Sequence, residues 1–168
     1  MEIISDKCTA VLATAATAVL LLAFSAMAAG TDTKTTTAAV TVNQFLSVTL
    51  SNSPVAFPTM DPGTGPTNAT TGSGFPLTVT VDSVSNVNAK ISTKAGAVSF
   101  SGPGTLAVSN MIWSPTINGV YTGYTTGDAQ VCSGIAPGNN CNIYHKMSVP
   151  SGTTAGSYSI GITITATV

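Results

Sequence analysis

The chain has 168 residues, one domain's worth, of which 43% are hydrophobic but only 7% charged, with a formal net charge of −1. Such a weak field excludes charge-driven binding of nucleic acid or anionic lipid. It also disfavours a freely soluble monomer, because near-zero net charge favours association.

Residues 1–28 read as a secretion signal. After "MEIISDK" comes an apolar run over residues 9–24 and then "SAMAAG", whose Ala26, Met27 and Ala28 form a small-residue cleavage pattern. The same run, extended to Ala29, is about long enough to span a bilayer, so a retained N-terminal helix is the alternative. Cys8 lacks a lipobox and leaves with the leader if cleavage occurs. Cleavage after Ala28 leaves four Asp against four Lys, with no Arg and no Glu, and so a net charge of zero.

Residues 29–42 form an N-terminal arm that is polar and Thr-rich until Ala38, Val40 and Val42 begin to alternate. Asn43-Gln44 breaks that register before Leu46, Val48 and Leu50 resume it. Two readings stay open: a bulged first strand within its own sheet, or a donor strand that completes a neighbour's sheet.

Residues 43–168 read as an all-β, antiparallel sandwich of about eight or nine strands, Ig-like or pilin-like, with no helical period of useful length. The spacing predicts strands over residues 38–50, 55–57, 75–84, 87–93, 98–100, 106–113, 121–125, 143–149 and 157–168. Inner faces are legible in Leu77, Val79 and Val81, in Val87, Ala89 and Ile91, and in Tyr158, Ile160, Ile162 and Ile164. Trp113, the only tryptophan, is expected to plug the core. The proline-rich stretch over residues 52–76 is expected to cross between sheets or decorate the surface, since proline cannot join a central ladder. It contains Asn68-Ala69-Thr70, an N-glycosylation sequon. Sugar there would supply the solubility that charge does not.

Cys132 and Cys141 bracket "SGIAPGNN" and read as a disulfide stapling a hairpin or long turn, a local clamp. A metal reading needs more ligands than the lone His145 supplies.

Catalysis finds no constellation. Asp61, Asp82 and Asp128 sit in separate turns, no G-x-S-x-G elbow accompanies His145, and no glycine-rich loop opens a helix. The protein is therefore expected to be no enzyme and to need no cofactor; calcium held by Asp61, Asp128 and loop carbonyls stays open. A monomeric surface or S-layer-associated binding module, with Tyr121 and Tyr124 as the candidates for carbohydrate, is an alternative of a different class.

The runs "VAFPTMDPGTGPTNATTGSGFPLTVTVDSVSNVNAKIS", "SNMIWS" and "YHKMSVPSGTTAGSYSIGITITA" give residues 38–168 a layout similar to that of archaeal extracellular filament subunits. Those are the donor-strand pilins of archaeal threads and bundling pili. The resemblance implies a glycosylated homopolymer on the cell surface, serving adhesion, aggregation or biofilm formation, with identical subunits as partners. It implies residues 29–42 as donor strand, through Ala38, Val40 and Val42, and an acceptor groove walled by Tyr158, Ile160, Ile162 and Ile164. The chain also resembles archaeal type IV pilins, which keep the N-terminal segment as a core helix; processing would then fall near Lys7-Cys8.

Overall fold

A computed structural model describes Lys34 and residues 36–70 and 76–168 of the chain. The expectations for residues 1–28 lie outside the described residues. The chain parts into two units, residues 1–41 and residues 42–168. The described residues of the first are exposed and carry no strand.

The second unit is an antiparallel β-sandwich of nine described strands: β1 (Val48–Ser51), β2 (Thr67–Asn68), β3 (Leu77–Val81), β4 (Ala89–Ala95), β5 (Met111–Ser114), β6 (Thr122–Gly123), β7 (Ala129–Ile135), β8 (Asn140–Met147) and β9 (Ile162–Thr167). One sheet has six strands in the order β1-β3-β8-β5-β6, with β2 also paired to β8. The other has three, in the order β7-β4-β9.

Alternation builds the core. In β3, Leu77, Val79 and Val81 turn inward and are buried, while Thr78 and Thr80 face away. β8 does the same with Cys141, Ile143, His145 and Met147, and β4 answers from the other sheet with Ala89, Ile91, Thr93 and Ala95. Trp113 and Tyr124 fill the space between, so Trp113 does plug the core.

Several expected strands are shorter or absent, each for a visible reason. Residues 38–47 and 55–57 form no ladder. Residues 98–100 reduce to a single bridge between Ser99 and Ala107, and Val108–Asn110 make a 3-10 turn ahead of β5. Conversely, "AQVCSGI" becomes β7, although its Gln, Cys, Ser and Gly give no clean apolar alternation. Its ladder to β4 carries register irregularities and Gly134 sits at φ 68°, which is why period-two reading passes over it.

Between β7 and β8 the chain turns at residues 136–139 and changes sheets. Gly138 takes φ 82°, and the turn is tied to β3 by Gly138 N–H donating to the Val81 carbonyl and Val81 N–H donating to that of Asn139. Cys132 lies on β7 and Cys141 on β8, with Cα atoms 6.2 Å apart. The disulfide is present and staples the turn from β7 to β8, as the spacing suggested; because that turn changes sheets, it also bridges the two sheets.

Candidate functional site

The site is an apolar groove at one edge of the smaller sheet. β9 pairs with β4 from Ile162 opposite Ala95 to Thr167 opposite Lys90, and its other edge has no ladder partner among the described residues. Upstream, the chain stays beside the segment that follows β4: Ser159 and Ser101 exchange backbone hydrogen bonds, and Gly96 N–H donates to the Gly161 carbonyl. Residues 157–161 are therefore a looser continuation of β9.

Sidedness explains the groove. Tyr158, Ile160, Ile162 and Ile164 pack against the core cluster but are only half-buried, whereas Ile91, Thr93 and Ala95 on the neighbouring strand are buried. Tyr158, Ile160 and Ile162 line an opening of about 760 Å³. They share it with Phe57 and Met60 from the proline-rich segment and with the buried Leu106 and Met147. Ile164 packs on the core without lining the opening. Asp61 is the one charged residue among those that line it.

Phe57 and Met60 are among the lining residues that sequence reasoning did not place at the site. Prolines 54, 58 and 62 keep the segment out of a ladder, and that reading obscured Val55, Phe57 and Met60 as a third apolar series. Tyr158 is fixed by its hydroxyl, which donates to the Thr154 carbonyl at 2.8 Å. Its ring lies where a Cβ on Gly102 would collide with it, so the close approach requires glycine there.

The N-terminal arm presents the complementary pattern. Ala38, Val40 and Val42 are all exposed, Val40 at 88% and Val42 at 74%. Just beyond, the chain is pinned. Asn86 accepts from Phe45 N–H at 2.8 Å, returns a backbone bond to the Phe45 carbonyl, and donates from Nδ2 to the Asn43 carbonyl. Ser47 and Thr49 hydroxyls both donate to Asp82. The register break at Asn43-Gln44 thus coincides with the point at which the turn over residues 82–86 takes hold of the chain.

The remaining candidates separate cleanly. Asn68 lies in β2 and not in a free loop, exposed and opposite Lys146. His145 is fully buried; its Nε2 meets the Tyr124 hydroxyl at 2.8 Å, and that hydroxyl lies 3.2 Å from Thr93 Oγ1. Burial lowers the His145 pKa to about 4, opposed in part by the backbone of Ile143, though Nδ1 makes no hydrogen bond of good geometry. Burial likewise raises Tyr124 to about 12, against the bond with Thr93. Tyr124 is sealed in the core and cannot stack on a carbohydrate, which removes it from that reading. Tyr121 remains at the surface, its hydroxyl donating to the Ile117 carbonyl and its ring beneath the Lys146 ammonium at 4.1 Å.

No protein-family model, curated protein or solved structure matches the chain.

Proposed function

We propose that this protein is a structural subunit of an extracellular filament, in which residues 29–42 of one subunit lie as a strand beside β9 of the next. Ala38, Val40 and Val42 of the incoming arm occupy the groove, and the arm's backbone pairs with the open edge of β9. Each subunit then gives one arm and receives another, a head-to-tail contact that does not close and so propagates. The filament serves adhesion, cell aggregation or biofilm formation, with identical subunits as the partners.

The observation that carries this reading is the groove: an apolar opening beside a strand edge that has no ladder partner among the described residues. An exposed strand edge next to half-buried isoleucines is a liability for a monomer, and occupation by a strand removes it. The exposed valines of the arm supply a matching series. Burying two valines is worth roughly 3 to 6 kcal/mol, so the backbone ladder must contribute as well to hold a filament together.

The test is deletion of residues 29–42. Surface material sheared from cells carrying the full chain should contain a high-molecular-weight, SDS-resistant assembly. The deleted chain should be secreted as an unpolymerised, aggregation-prone subunit. Filaments of normal length from the deleted chain would overturn the proposal.

A further inference from the structure

The sandwich presents a second built feature on the face of the six-stranded sheet that points away from the core. Cross-strand partners share a face, so the register sets Asn68 of β2, Lys146 of β8, Ile112 of β5 and Gly123 of β6 in one row across four strands. In β2 and its continuation the alternation is clean. Asn68 and Thr70 are exposed, while Ala69 between them is buried and its N–H donates to the His145 carbonyl. The two side chains that an N-x-T acceptor needs therefore stand together in solvent, and the one that must be buried is a methyl group. This is the sole N-x-S/T sequon in the 168 residues.

We infer that Asn68 carries an N-linked glycan whose first sugars rest on this face, over Lys146 and Ile112 and against the ring of Tyr121. In the transfer, the Asn68 carboxamide nitrogen attacks C1 of a lipid-linked oligosaccharide. The C1–N bond forms, the bond from C1 to the lipid phosphate breaks, and the amide proton goes to base. Lys146 and Asn68 are directly opposed, so their Cβ atoms lie about 5 Å apart, within reach of the first sugar. The Lys146 ammonium is already held over Tyr121, leaving its N–H groups to donate to sugar hydroxyls. The ring edge of Tyr121 gives an apolar wall for a sugar face. The inward-facing residues of the same strands belong to the core, so the sugar and the core claim opposite faces of the sheet.

The experiment uses the full chain secreted from a host that glycosylates N-x-S/T sites, and it reads peptide masses, so its outcome does not depend on whether filaments form. The peptide containing Asn68 should carry a glycan, lost in Asn68→Gln and Thr70→Val and retained in Thr70→Ser. An unmodified Asn68 in the secreted protein would overturn the inference. For the resting place, enzymatic removal of the glycan should lower Tm by about 3 °C in the parent chain and leave Tm unchanged in Tyr121→Ala. An equal drop in both would show that the sugars lie elsewhere.

Discussion

His145 is the one imidazole in the chain, and it sits where alternation from Cys141 and Ile143 must put it, on the inner face of β8. Its pKa of about 4 lies below the ordinary 6.5, so the folded state resists a proton that the unfolded state accepts. Above pH 6.5 both states are neutral and the residue costs nothing; as pH falls from 6.5 toward 4 the unfolded state gains. Stability should therefore drop by about 2 to 3 kcal/mol between pH 7.5 and 4.5 on account of this residue. Denaturant titrations of the parent chain and of His145→Leu at both pH values should differ by that amount in their pH dependence. Gly102 offers a second residue-scale test. Gly102→Ala forces the Tyr158 ring aside, so it should lower stability by about 1 to 3 kcal/mol and, on the filament reading, weaken arm binding too.

At the scale of elements, alternation revealed β3, β4 and β8 to within two or three residues at each end, because their apolar faces meet a buried core. β7 escaped detection because its inner face is assembled from Ala129, Val131, Cys132 and Ile135, out of step with a period of two. Recognising β7 extends the meaning of the disulfide, which also joins sheet to sheet. Replacing Cys132 and Cys141 by serine should cost about 2.5 kcal/mol from the freed loop, with a further cost because Cys141 is buried. Guanidinium unfolding of the double variant against the parent measures this. The arm is the other element whose sequence pattern permitted two outcomes. It shows alternation without a ladder, and Val40→Asp with Val42→Asp should block assembly while leaving the sandwich's stability within about 0.5 kcal/mol, since both side chains are exposed. Melting of the isolated subunit and SDS-gel mobility of sheared surface material read the two effects separately.

For the whole molecule, β5 and β6 are the only consecutive strands that pair with each other among the described residues. β3 to β4, β4 to β5, β6 to β7, β7 to β8 and β8 to β9 each change sheets. A sandwich joined this way should fold slowly, because its pairings close long loops before they yield contacts. Stopped-flow refolding with the disulfide intact should give a main phase in the range of milliseconds to seconds. The sequence by itself determined the all-β class, the cysteine pairing and the inner faces of the regular strands, because period, composition and cysteine spacing are local properties. Only the tertiary structure decided that Phe57 and Met60 join Tyr158, Ile160 and Ile162 around one opening, and that the edge of β9 beside it has no ladder partner among the described residues. Which strand lies next to which depends on contacts between residues far apart in the chain, and no local pattern of side chains encodes that.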